Sequence, residues 1–78
     1  MSNYANIIIQ SPKDVVITEQ KIKIAQMVAD GIDRKSIAKK TKLSIRTIEA
    51  HIDSMRKILA CESTPALIAV LFRKNLIK

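Results

Sequence analysis

Residues 33–57, DRKSIAKKTKLSIRTIEAHIDSMRK, decide the fold, because two helical patterns follow one another across a very short joint. Asp33 suits the N-cap of a short helix that carries Ile37 and Ala38 on one side and Arg34, Lys35, Lys39 and Lys40 elsewhere. That helix ends near Thr41. After Lys42-Leu43, Ser44 is a second N-cap and opens a longer helix to about Ala60. At about 100° per residue, Ile45, Ile48, Ile52, Met55 and Leu59 fall in one stripe. Arg46, Glu49, Ala50, Asp53 and Lys57 share the opposite face, with Ser54 and Arg56 at its margins. A helix with an apolar back and a polar front is seated on a core and turns its front outward.

Working outward, Thr18 is a suitable N-cap and Gly31 a suitable C′ residue, and Ile22, Ala25, Val28 and Ala29 recur between them at helical spacing. The first helix is therefore expected over 18–30. Downstream, Ser63, or Thr64 with Pro65 at the first helical position, opens a fourth helix to about Asn75 with Leu67, Ile68, Val70, Leu71 and Phe72. This last helix is apolar on too many sides for an isolated surface helix. It needs its own domain on one side and a second cover on the other. Residues 1–16 lack helical periodicity; Ile7-Ile8-Ile9 followed by Ser11-Pro12 reads as an extended N-terminal arm ending in a turn, either ordered by docking or a loose tail. The domain proper is expected over 17–78.

Seventy-eight residues hold one core and no second one. Apolar residues are 47% of the chain and aromatics 3%, so Ile, Leu, Val, Met and Ala must build that core. One glycine and two prolines supply too few turns for an all-β domain, and sheets are not expected. The expected fold class is all-α, a tetrahelical helix-turn-helix domain with a short N-terminal arm. Cys61 and His51 are each alone of their kind, so no internal disulfide and no Cys/His zinc site is expected, nor any cofactor. A reducing cytoplasmic location follows from this cysteine usage. The start, MSNYANIIIQ, has no basic region before its three-residue apolar run and reads as neither signal peptide nor anchor, and no membrane partner is expected. No catalytic set and no small-molecule site is evident, so the chain is not expected to be an enzyme. His51 lies at the edge of the apolar stripe and reads as a half-buried packing residue, Cys61 as a small apolar one, and Met27 and Met55 as core fillers.

The charge is +7 with a pI near 9.9, which suits an anionic partner. Between Arg34 and Lys57 there are eight basic residues and two acids, so this segment carries +6 of the total. Surfaces kept charged for solubility usually intersperse both signs. Two helices joined by about three residues, the second longer and polar on its outer face, form the arrangement in which a recognition helix enters the major groove of DNA. Ala38 allows the two helices to approach, Leu43 and Ile45 are expected to plug the turn, and Ile48 to anchor the second helix. An unrelated helical bundle needs similar apolar positions, so spacing alone leaves that alternative open.

Residues 17–61, ITEQKIKIAQMVADGIDRKSIAKKTKLSIRTIEAHIDSMRKILAC, resemble the LuxR-type (GerE-type) DNA-binding domain. The most specific stretches are Ile17-Thr18, Ala29-Asp30-Gly31, Lys35-Ser36-Ile37-Ala38, Leu43-Ser44 and Thr47-Ile48-Glu49-Ala50-His51, and the likeness continues through Ser63 to Ile77 without gaps. The resemblance implies a four-helix transcriptional regulator whose third helix reads the major groove and whose fourth mediates homodimer contacts. On that footing Arg46, Glu49, Ala50 and Asp53 are expected to face bases. Arg34, Lys35, Lys39, Lys42, Arg56 and Lys57 are expected to meet phosphates, with Ser44 and Thr47 offering backbone N–H donors at the start of the third helix. Leu67, Ile68, Leu71 and Phe72 are the expected dimer surface.

The chain departs from the family pattern at three places. Family members usually carry an acid where Lys21 stands, commonly Lys where Glu49 stands, and often a basic or polar residue where Asp53 stands. Glu49 and Asp53 bring negative charge toward phosphates. Either they accept hydrogen bonds from cytosine, or they pair within their helix, Glu49 with Arg46 and Asp53 with Lys57. The resemblance implies a double-stranded DNA partner, with RNA polymerase or another regulator as a possible protein partner. With only about 16 residues ahead of the domain and no evident sensor, control by abundance or by a partner is expected. A second reading is a module that binds another regulator and blocks its DNA binding. Membrane-surface binding is disfavoured, since no helix combines a basic face with interfacial Trp or Phe.

Overall fold

The computed structural model describes residues 7–10 and 16–78, with side chains from Ile17 onward. Two short strands, β1 (Ile7–Gln10) and β2 (Val16–Thr18), precede four helices, α1 (Glu19–Ala29), α2 (Arg34–Thr41), α3 (Ile45–Ile58) and α4 (Thr64–Arg73). The all-α class and the order of the four helices stand as the sequence indicates. The strand pair is an addition that composition did not reveal. β1 and β2 are antiparallel, with Ile7 opposite Thr18, Ile9 opposite Ile17 and Gln10 opposite Val16, and an irregularity between Ile7 and Ile9. Both strands are rich in β-branched residues, which favour an extended backbone. β2 runs across residue 16, the expected edge of the domain. The expected turn at Ser11-Pro12 lies outside the described residues.

Each helix begins on a side-chain cap. The hydroxyl or carboxylate of Thr18, Asp33, Ser44 and Ser63 accepts the backbone N–H three residues on, from Lys21 (3.3 Å), Ser36 (2.7 Å), Thr47 (3.0 Å) and Ala66 (3.1 Å). Such caps contribute about 1 kcal/mol each. At Asp33, the bond from the Ser36 backbone N–H holds the carboxyl below its ordinary pKa, as does the Ser36 hydroxyl.

The helix ends share one device and only one of them has a glycine for it. After α1, Gly31 at φ +83° donates to the Val28 carbonyl (3.0 Å) and Ile32 to that of Met27 (3.0 Å), the paired bonds of a Schellman closure. Ala60 (φ 55°) and Asn75 (φ 61°) occupy the same position after α3 and α4, where Cys61 N–H reaches Arg56 O at 2.8 Å and Leu76 N–H reaches Leu71 O at 3.0 Å. Lys42 (φ 62°) closes α2. Asn tolerates this left-handed backbone; Lys and Ala are strained in it by about 1 kcal/mol or more.

Ile17, Ile24, Ala25, Ile37, Ile48, Ile52, Met55, Leu67, Leu71 and Ile77 form the core, which draws on β2, all four helices and the C-terminal turn. The chain end is pinned to α1: Gln26 donates through Nε2 to the Lys78 carbonyl (2.9 Å) and accepts the Lys78 N–H at Oε1 (2.8 Å). Two expectations for the core are corrected. Ile45, expected to plug the turn, is 45% exposed, because the first residue of α3 projects beyond the part of the stripe that α2 covers. α4 stops at Arg73, two residues before the expected Asn75, since Asn75 adopts the left-handed backbone that terminates it.

Candidate nucleic-acid interface

α2 and α3 are joined by Lys42, Leu43 and Ser44, and the joint is fixed from both sides. Thr41 donates its hydroxyl to the Ile37 carbonyl (2.8 Å) and accepts the Leu43 N–H (3.3 Å), while Ser44 caps α3. Half-buried Leu43 and Ala38 pack against the core beneath the joint. With Ile48, Ile52 and Met55 buried, the opposite side of α3 is presented outward: Arg46, Glu49, Ala50, Asp53 and Lys57 are all exposed. Fourteen residues give this helix a length of about 21 Å.

The expected phosphate residues divide into two groups. Lys35, Lys39, Lys42 and Lys57 are exposed, as is Lys40, which lay outside the expected set although its place in the same charge run is a sufficient signal. Together with Arg46 these six cations have no acidic partner among the described residues. Arg34 and Arg56 are half-buried and engaged. Arg34 Nε donates to Glu49 Oε2 at 2.8 Å, joining the first residue of α2 to the second turn of α3. Arg56 donates through Nη1 to Asp53 Oδ1 (2.9 Å) and through Nη2 to the Glu62 carbonyl (2.8 Å), and its Nε is buried without a partner among the described residues.

The acids therefore have partners other than those that spacing within the helix suggested. Glu49 reaches across to α2 instead of back to Arg46, a contact between elements that no linear pattern reveals. Asp53 pairs with Arg56 instead of Lys57, because Arg56 is already held near it by the Glu62 carbonyl. The expectation for Thr47 is also corrected: its N–H is taken by the Ser44 hydroxyl, and the Ser44 hydroxyl in turn donates to Thr47 Oγ1 at 2.9 Å. The N–H groups at the start of α3 that have no acceptor among the described residues are those of Ser44, as expected, and of Ile45 and Arg46.

On α4 the expected partner surface is narrowed. Leu67 and Leu71 are 1% and 0% exposed and belong to the chain's own core, the inner stripe of a helix that packs on α3. Ile68 is half-buried, and Phe72 is 44% exposed. His51 is half-buried, as its place at the stripe edge suggests; burial lowers its pKa, and the positive charge of Lys21 lowers it further. Lys21 thus stands near an imidazole where an acid was expected from the resemblance. An open groove of about 660 Å³ lies between α1 and the end of α2, lined by Thr18, Glu19, Gln20, Lys23, Met27, Lys40 and Thr41. No described helix is long and apolar enough to cross a membrane.

The sequence of this chain is similar to that of known proteins. Curated relatives include the oxygen regulatory protein NreC of Staphylococcus aureus, in strains JH9, JH1 and Mu3 among others, at 29% identity over 63 residues, which is 81% of this chain. The chain spans 29% of the length of those relatives. No solved structure matches it. The family model for bacterial regulatory proteins of the luxR family, GerE, matches residues 15–71, a span that includes β2, α1, α2, α3 and α4 as far as Leu71. The chain belongs to the luxR family of bacterial regulatory proteins and carries that family's helix-turn-helix DNA-binding domain.

Proposed function

We propose that the chain binds specific double-stranded DNA sites and regulates transcription, with the front of α3 in the major groove. The observation that carries this reading is an exposed α3 front, Arg46, Glu49, Ala50 and Asp53, in a two-helix segment whose six exposed cations, Arg46 among them, form no salt bridge among the described residues. Lys35, Lys39, Lys40, Lys42 and Lys57 meet phosphates and supply affinity without sequence information. Arg34 adds its terminal nitrogens while its Nε holds Glu49. Exposed Ile45, beside Arg46, suits contact with a thymine methyl group. Arg56 is a fastening of the α3–α4 joint more than a phosphate ligand.

The active species is a homodimer on half-sites about one helical turn apart, joined through the outer side of α4 at Phe72 and Ile68. Residues 17–78 are the DNA-binding unit, 1–16 the arm ahead of it, and the working location is the cytoplasm, on the nucleoid. Most of the length of the NreC relatives lies outside the match.

The test is titration of the purified chain onto random-sequence duplex across salt concentrations. Log affinity should fall with log salt with a slope of several units, for ~4 to 8 neutralised phosphates. A flat or absent response removes the DNA reading. The pairing of both α3 acids with arginines favours one rival: a module that docks on another regulator through a front of balanced charge and blocks its DNA binding. That rival requires binding to the regulator with no salt-dependent affinity for duplex.

A further inference from the structure

We infer that Glu49, held by Arg34, selects cytosine at one position of each half-site; this rests on the DNA-binding reading above. Glu49, the fifth of the fourteen residues of α3, is exposed on its outward side with its side chain 50% exposed, and only Oε2 is committed, to Arg34 Nε at 2.8 Å. Oε1 has no partner among the described residues, nor have the terminal nitrogens of Arg34. A lone carboxylate would be driven from a duplex by its phosphates. The guanidinium beside it cancels that charge and fixes the direction of the side chain, so that Oε1 meets the groove floor as a neutralised acceptor.

An ionised carboxylate can only accept, and this restricts the base. In the major groove guanine presents two acceptors and thymine an acceptor beside a methyl group. Adenine sets its amino donor beside the N7 acceptor, which repels a carboxylate. Cytosine alone offers its N4 amino group without an acceptor next to it on the same base. Asp53 does not share this role: its chain is shorter, and Arg56 holds it toward the Glu62 carbonyl at the far end of α3. Arg34 is a positioning residue here, and its remaining donors are directed to the phosphate at the groove edge.

The test is selection from a duplex library of randomised sequence by the whole chain, followed by the same selection with Glu49→Gln, Glu49→Ala, Arg34→Lys and Arg34→Ala. Sites selected by the parent chain should carry one position where replacing cytosine weakens binding by about tenfold or more. Glu49→Gln should switch that position to adenine, whose N6 and N7 match a carboxamide, and Glu49→Ala should leave it random. Arg34→Ala should blur the same position while the others keep their preference, and Arg34→Lys should retain part of it. Loss of a phosphate contact alone would lower affinity for all sequences equally. The inference is overturned when the chain binds random duplex with the expected salt slope yet Glu49→Gln and Glu49→Ala select unchanged sites. Absence of any salt-dependent duplex binding overturns the DNA reading itself, and this inference with it.

Discussion

Arg34 Nε, at the start of α2, lies 2.8 Å from Glu49 Oε2, in the second turn of α3, and ties the two halves of the helix-turn-helix across its solvent face. With side chains 31% and 50% exposed, the pair is screened, and breaking it should cost about 0 to 1 kcal/mol of stability. Its weight falls on binding. Glu49→Lys exchanges a compensated negative charge for a positive one on the exposed side of α3 and releases Arg34. Affinity for random duplex should rise, and the log–log salt slope should steepen by about one or more. A weaker, less salt-dependent complex would place Glu49 away from the phosphates.

Arg56 should behave differently, although it lies in the same basic segment. It is committed to Asp53 and to the Glu62 carbonyl and so braces the end of α3 against the joint to α4. Arg56→Ala should lower the unfolding free energy by about 1 to 2 kcal/mol, read from chemical denaturation. Arg56→Lys should restore little of it, since one ammonium cannot replace a planar fork. Lys39→Ala or Lys42→Ala, at exposed positions, should do the reverse, reducing duplex affinity with stability nearly unchanged.

The helices were legible in the sequence because their signals are local. A cap at Thr18, Asp33, Ser44 or Ser63 and a stripe such as Ile48, Ile52 and Met55 need only neighbours within a turn or two. The β1–β2 pair was not, since Ile7 and Thr18 meet across a gap in sequence and a three-residue strand has too few residues to show a period. The front of α3 could be listed from the wheel, but the partner of Glu49 could not: Arg34 and Glu49 are fifteen residues apart. The same limit explains Leu67 and Leu71. Composition indicated that α4 is apolar nearly all round, whereas which residues turn inward depends on how it packs on α3.

That distinction separates two substitutions on α4. Leu71→Ala removes a fully buried side chain and should cost about 2 to 5 kcal/mol, enough to unfold much of a domain this small. Phe72→Ser, one residue on, removes a ring that is 44% exposed and should cost the monomer less stability than Leu71→Ala. Sedimentation should show Phe72→Ser shifting the chain toward monomer and weakening binding to a two-half-site duplex more than to a single half-site. Unaltered association would move the dimer surface off the end of α4.

Ala60 offers a gain in stability without touching the front of α3. Its φ of 55° follows from the closure after α3, where Cys61 N–H reaches Arg56 O and Ala60 N–H reaches Lys57 O at 3.3 Å. Glycine adopts that backbone without strain, as Gly31 does after α1. Ala60→Gly should stabilise the fold by about 0.5 to 1 kcal/mol after the greater freedom of glycine in the unfolded chain is offset. A lower melting temperature would mean that the Ala60 methyl group makes contacts worth more than the strain it bears.

His51 gives stability a pH dependence of known sign. Burial, and then the charge of Lys21, keep its pKa below the ordinary imidazole value, so near and below pH ~6.5 the unfolded chain binds the proton more readily than the folded one. Stability contributed by the neutral imidazole is present above that pH and is lost as pH falls toward the folded-state pKa, below which the contribution no longer changes. Lys21→Gln removes the second cause and leaves the first. The loss on acidification should become smaller without vanishing, and the His51 titration followed by NMR should move upward. A His51 titration unmoved by Lys21→Gln would show that solvent screens the pair and that burial alone sets the shift.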